Sequence, residues 1–194
     1  TLKLIAEKEP DNPIYQNLIT PPTDAPIPEG WLLGSSGQSA LQAGKMGLGY
    51  SYAQFFTGSR IKDIFDIYRK NFRASPFMKK PKIIVSYFVT VAETREEAEY
   101  QARPADIARL FLQRGQIVQY MTPEEAMNYP LTELDKMQIQ DNRKMNFVGS
   151  PKEVADMLLA EQEKYGFDEA MICTIPHSQE ARLNAYRFLA KELL

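Results

Sequence analysis

The residues best suited to chemistry are small and adjacent: Gly34-Ser35-Ser36-Gly37-Gln38-Ser39. They follow the apolar run Trp31-Leu32-Leu33 and precede Ala40, Leu41, Ala43, Lys45 and Met46. That order predicts a strand, a tight turn and a helix ending at Gly47. A helix N-terminus offers unpaired N–H groups and the positive end of the helix dipole. Small residues let an anion approach the backbone, and serine hydroxyls add donors. The turn from Gly34 to Ser39 is therefore a reasonable phosphate cradle. The plainer reading of the same residues is a serine-capped helix start, which is the commoner use of such a turn.

Two further positions carry polar chemistry. Gln54 ends a second short strand, Tyr50-Ser51-Tyr52-Ala53, where it either hydrogen-bonds a bound ring or substrate or forms a solvated tip. The neighbouring Phe55 and Phe56 read as ordinary packing. His177, the single histidine, lies between Pro176 and Ser178 after the last strand. Its side chain titrates near neutrality and suits proton transfer. No Ser, Cys or Asp pattern beside it makes a nucleophilic triad, so it reads as an orienting, substrate-side group or as a surface-loop residue. His177 and Gln54 are the only catalytic candidates.

Other classes of chemistry find no residues. No His, Asp and Glu cluster has metal-ligand spacing, so no metal is expected. No P-loop or dinucleotide fingerprint is present. Cys173 is the sole cysteine, which excludes an internal disulfide and suits a reducing, cytoplasmic setting. It sits in an apolar strand and reads as a buried small hydrophobe. A net charge of −2 provides no basic field for nucleic acid or an anionic membrane surface. No apolar run approaches the ~20 residues that cross a bilayer.

The elements that must hold these residues alternate. Residues 1–28 read as a helix end and a Pro-rich connector. After the second strand, Ser59 caps a helix with Ile61, Ile64, Phe65, Tyr68 and Phe72 on one face. Ile83 to Val91 has strand composition. Thr94 with Glu97 forms a capping box for a long helix that Pro104 should kink or break. Residues 114–146 read as an irregular helical insertion, with a helix start at Thr122-Pro123. Ser150-Pro151-Lys152-Glu153 opens a helix carrying Val154, Met157, Leu158 and Gln162. Glu169 to Thr174 is a fourth strand whose opening residues, with Asp168, read as structural. Ser178 caps a terminal helix with Ala181, Ala185, Phe188 and Leu189 on one side. The β-α-β-α-β-α-β-α order predicts an α/β chain with a parallel sheet, a single domain over 1–194. Four such units make a small open sheet or half of an eightfold barrel.

The run from Pro28 through Trp31-Leu-Leu-Gly-Ser-Ser-Gly-Gln-Ser-Ala to Phe56 resembles the luciferase-like, flavin-dependent oxidoreductases. A second block is similar to that family's usual ending: Phe147-Val-Gly-Ser-Pro-Lys-Glu-Val, Tyr165-Gly-Phe-Asp-Glu-Ala-Met-Ile, His177 and Glu180-Ala-Arg-Leu. The resemblance implies a (β/α)₈ TIM barrel, with this chain matching strands five to eight only. It implies FMN, reduced by a separate reductase, with its phosphate held by Ser35, Ser36, Gly37 and Ser39 and its ring within reach of Gln54. It implies a monooxygenase using oxygen on a small organic substrate such as an aldehyde. A partial barrel leaves strand edges and an apolar face open, so a homodimer or pairing with the N-terminal half is expected. The chain then reads either as a portion of an active barrel or as a natural short form. The alternative from another class is a non-catalytic flavin- or phosphate-binding scaffold.

Overall fold

The computed structural model describes residues 2–6, 11–19, 21–22, 25–57 and 61–194. The expected cap at Ser59 and parts of the 1–28 connector lie outside the described residues. The chain divides into two compact units, residues 1–52 with 62–83 and residues 53–61 with 84–194.

In the first unit, a short helix α1 (Leu2–Ile5) and a 3₁₀ turn (Pro13–Tyr15) precede β1 (Trp31–Gly34). Helix α2 (Gly37–Met46) connects β1 to β2 (Gly49–Ala53), and the two strands pair in parallel from Trp31↔Gly49 to Gly34↔Tyr52. All five β2 residues are buried, as expected of a parallel strand covered on both faces. Glycine is required at two points here. At Gly49 a Cβ would lie 2.4 Å from the Trp31 ring. Gly47 adopts φ 65°, the left-handed geometry that stops α2.

The short helix α3 (Gln54–Thr57) lies in the second unit's first segment, and α4 (Ile61–Asn71) belongs from Lys62 onward to the first unit. Ile61, Ile64, Phe65 and Tyr68 are buried, as their spacing predicts. Phe65 meets Tyr52 edge-on at 5.6 Å, and Tyr68 lies 5.7 Å from Tyr50. The Tyr68 hydroxyl donates to the Leu48 carbonyl (3.0 Å) and accepts from the Lys82 N–H (3.1 Å), so an aromatic side chain closes two backbone groups at once.

In the second unit, β3 (Ile83–Val91), which enters it at Ile84, is the central strand. Helix α5 (Arg95–Gln113) is followed by α6 (Pro123–Asn128), α7 (Glu133–Asn142) and a 3₁₀ turn (Arg143–Met145). Then come β4 (Asn146–Gly149), α8 (Pro151–Tyr165), β5 (Glu169–Cys173) and α9 (Gln179–Leu193). The upper half of β3 pairs in parallel with β4 (Phe88↔Asn146 to Val91↔Gly149). Its lower half pairs in parallel with β5 (Ile84↔Glu169 to Phe88↔Cys173). Tyr87 stacks on Phe147 at 5.2 Å and lies 5.9 Å from Phe167, while Ala92, Ala98, Ala102 and Val148 form a small-residue core.

Several sequence expectations are corrected. Five strands are present rather than four: β4 is only four residues long, too short for a periodicity to declare itself. Helix α5 runs unbroken through Pro104. The proline is fully buried, in a helix whose Ala98, Ala102, Asp106, Ile107 and Leu110 are buried as well. Residues 114–146 are more regular than expected. Thr122 with Glu125 and Thr132 with Asp135 each form a full capping box, starting helices whose apolar periodicity is weak. Thr94 does accept from the Glu97 N–H (3.2 Å), but the Glu97 carboxylate accepts instead from the Gln101 amide (2.7 Å). Phe56 and Gln162 are exposed, and Cys173 is half-buried rather than enclosed.

Candidate functional site

The serine turn belongs to the first unit. It continues from the C-terminal end of β1 into α2, and Ser36 is the N-cap residue. Its extended backbone (φ −134°, ψ 159°) turns the chain, and Ser36 Oγ accepts from the Ser39 N–H (3.3 Å). Ser39 replies: its Oγ accepts from the Ser36 N–H (3.2 Å) and donates to the Ser36 carbonyl (2.8 Å). The Tyr50 hydroxyl, reaching up from β2, lies 3.0 Å from Ser39 Oγ and donates to the Ser36 carbonyl at 3.2 Å. Burial pushes the Tyr50 phenol above its ordinary value, against the hydrogen bonds from Ser39 and Ser36, so it remains a neutral hydroxyl. A Cβ on Gly34 would lie 2.2 Å from Ser39 Oγ, so that glycine lets the serine fold back over the strand end.

What faces outward is a set of donors. Ser36 is exposed, while Ser35, Gly37 and Ser39 are half-buried. The first N–H groups of α2, at Gly37 and Gln38, have no intrahelical acceptor. Among the described residues, no carboxylate takes part in the turn's hydrogen bonds. The four residues named for phosphate thus share one turn, with the donor chemistry that an anion needs.

The other two candidates belong to the second unit. Gln54 opens α3 and is 3% exposed. Its Oε1 is buried and has no hydrogen-bond partner, so Gln54 is an enclosed amide rather than a solvated tip. His177 is exposed in the loop between β5 and α9. The Glu125 carboxylate lies below the usual range, chiefly because it accepts from the Thr122 backbone and hydroxyl, with a smaller contribution from the charge of His177. Phe55 is half-buried and lies 4.4 Å from Phe88. No helix among the described residues is long and apolar enough to cross a membrane.

The sequence reading missed several groups in this unit. Arg109 on α5 donates from Nη2 to the Phe55 carbonyl (3.0 Å), yet its Nε is buried without a partner. Asn146 Oδ1 and Thr174 Oγ1 are likewise buried and unpaired. The signal for Arg109 was present: it continues the small-residue stripe of Ala98, Ala102 and Ala105 along α5, where a cation is out of place. Asp106, one turn earlier, is buried and held by Arg143 Nε and Nη2 at 2.6 Å each, and Arg143 also reaches Glu99 at 3.1 Å. Burial raises the Asp106 carboxyl, and Arg143 opposes that rise.

The chain is similar to known proteins. The family model described as luciferase-like monooxygenase matches residues 13–169. The protein YceB of Bacillus subtilis (strain 168) is 35% identical over 185 residues, covering 95% of this chain and 56% of YceB. The crystal structure of apo-MsnO8 superposes with a TM-score of 0.80 at 30% identity, covering 92% of this chain and 55% of that one. The oxygenating constituent of 3,6-diketocamphane monooxygenase from Pseudomonas putida, a type II Baeyer-Villiger monooxygenase in complex with FMN, shares the fold. Its TM-score is 0.58 at 18% identity, covering 96% of this chain and 54% of its own. The chain therefore spans about half the length of the relatives it matches. Its α/β architecture with parallel strands is that of a partial TIM-type barrel. The chain belongs to the luciferase-like monooxygenase family.

Proposed function

We propose that this chain forms the phosphate-binding part of a flavin-dependent monooxygenase, with FMN as the cofactor and a small organic substrate such as an aldehyde. The observation that carries the reading is the Ser36–Ser39 turn: an outward-facing N-terminus of a ten-residue helix, lined by hydroxyls and free of acidic side chains. The FMN complex of the related camphane enzyme supports it.

Gly37 and Gln38 N–H groups and the Ser35 and Ser36 hydroxyls would hold the phosphate. Ser39 and Tyr50 act behind them. By bonding to the Ser36 carbonyl and Oγ they fix the turn before any anion arrives, which lowers the ordering cost of binding. In the second unit, Gln54 keeps a spare buried acceptor that is offered to a substrate N–H. Bound FMN would supply the redox chemistry with oxygen, reduced beforehand by a separate reductase. The protein's own task is binding, orientation and exclusion of water. In this reading the chain works in the cytoplasm, as a homodimer or paired with the barrel's other half.

The test is a fluorescence titration of FMN into the purified chain, with riboflavin as the phosphate-free control. FMN is expected to bind at least about tenfold more tightly than riboflavin, and Ser36→Ala or competing inorganic phosphate to remove most of that difference. Equal affinity for the two flavins sinks the phosphate reading. No flavin binding at all favours a non-catalytic scaffold.

A further inference from the structure

The second unit contains a cavity of about 260 Å³ beneath α5, walled by Phe88, Ala105, Ala108, Leu112 and Ile175, with Arg109 in its lining. Its volume is close to the ~300 Å³ lower end of small-molecule sites. Among the described residues Arg109 has no carboxylate partner. Its Nη2 is spent on neutral acceptors, the Phe55 carbonyl at 3.0 Å and the Met145 sulfur at 3.7 Å. Burial alone pushes its guanidinium below the ordinary arginine value, with no opposing acid. Every other charged or amide group at the cavity except Asn146 is already satisfied. Both Asp106 oxygens are taken by Arg143 (2.6 Å each), and the Asn142 amide is bonded both ways to Gln113 (2.9 and 3.1 Å). Asn146 Oδ1 is buried and unpaired beside the same space.

A half-buried cation whose Nε is enclosed and unpaired against an apolar wall is costly unless something anionic completes it. We propose that this cavity binds a small molecule with an apolar body and a single carboxylate, and that the Arg109 guanidinium receives that carboxylate. Arginine suits the role because its guanidinium keeps its charge when partly buried, and its enclosed Nε–H is unpaired and can donate to a carboxylate oxygen. As a substrate assignment the proposal rests on the monooxygenase reading above. As a binding site it stands on the cavity alone.

Isothermal titration of the chain with octanoate and 1-octanol tests it, beside the FMN titration. Octanoate is expected to bind at least about tenfold more tightly than octanol. Arg109→Met should abolish that preference, Arg109→Lys should keep part of it, and Ala108→Phe, which fills the cavity, should weaken both ligands. FMN affinity should be unchanged in Arg109→Met. The proposal is overturned if octanol binds as tightly as octanoate, if octanoate does not bind, or if Arg109→Met binds it like the parent. If Arg109→Met does not fold, the octanoate–octanol comparison in the parent and the Ala108→Phe result decide. Octanoate binding without FMN binding would keep this site and remove the flavin reading; the reverse would remove only this site.

Discussion

The two units treat their polar groups in opposite ways. In the first, the Ser36–Ser39 turn, the Tyr50 hydroxyl and the Tyr68 hydroxyl each complete one another or a backbone group. In the second, every buried side-chain atom left without a partner among the described residues is found: Gln54, Gln101, Arg103, Arg109, Asn146 and Thr174. Native interiors leave few such groups, because each costs roughly 1–3 kcal/mol. The first unit is thus built as finished structure, whereas the second withholds hydrogen-bonding capacity. A group held back at that cost is what a ligand would use.

Mutations can break or sharpen this contrast, and the largest effect is expected where the second unit does complete its charges. Arg143→Ala strands the buried Asp106 carboxylate and should destabilise the protein by about 3–5 kcal/mol in urea unfolding. A cost under about 1 kcal/mol would show that solvent reaches Asp106. Next comes the first unit's bridging phenol. Tyr68→Phe deprives the Leu48 carbonyl and Lys82 N–H of their partner and should cost about 1–3 kcal/mol.

Acid sensitivity should follow. The Asp135 carboxyl is held down to about 2 by the Thr132 hydroxyl and backbone N–H and by Arg114. Its folded value is below the ordinary 3.8, so its contribution is complete above pH 3.8 and is lost as pH falls from there toward 2. Asp135→Asn should lower Tm by roughly 2–4 °C at pH 7 and flatten the melting curve's dependence on pH in that window. An unchanged acid limb would remove Asp135 from the account.

The smallest change should have the opposite sign. Thr174→Val swaps an unpaired hydroxyl for a methyl and should leave stability unchanged or raise it by up to about 1 kcal/mol. If it destabilises as much as Tyr68→Phe, the contrast between the units fails.

The difference also explains what could be read in the sequence. The turn was legible because its chemistry is local: Gly34, Ser36 and Ser39 lie within six residues, and the caps at Thr122, Ser150 and Ser178 follow three-residue rules. The strands β1, β2, β3 and β5 and the buried face of α4 were legible from composition and spacing. Strand β4 was not, because four residues carry no period, and α7 was not, because its buried Asp135, Ile139 and Asn142 mix polar with apolar. Arg109 stands out on its alanine stripe, but its role is not legible there for a different reason. Its meaning depends on Phe55, Phe88 and Asn146, which are 21 to 54 residues away along the chain and meet it only after folding. Phe56 and Cys173 were misjudged because an aromatic or a thiol in an apolar run signals burial on average, not which side of the strand or turn it takes.

The buried proline in α5 has one more consequence. Pro104 has no amide hydrogen, so the Tyr100 carbonyl loses its helical donor and the ladder of α5 lacks one rung. The segment before it is locked on the alanine core, while the segment after it carries Asp106, Arg109 and Leu112. Deuterium uptake along α5 should therefore change rate at this point, with the downstream amides opening as a separate cooperative block from the upstream ones.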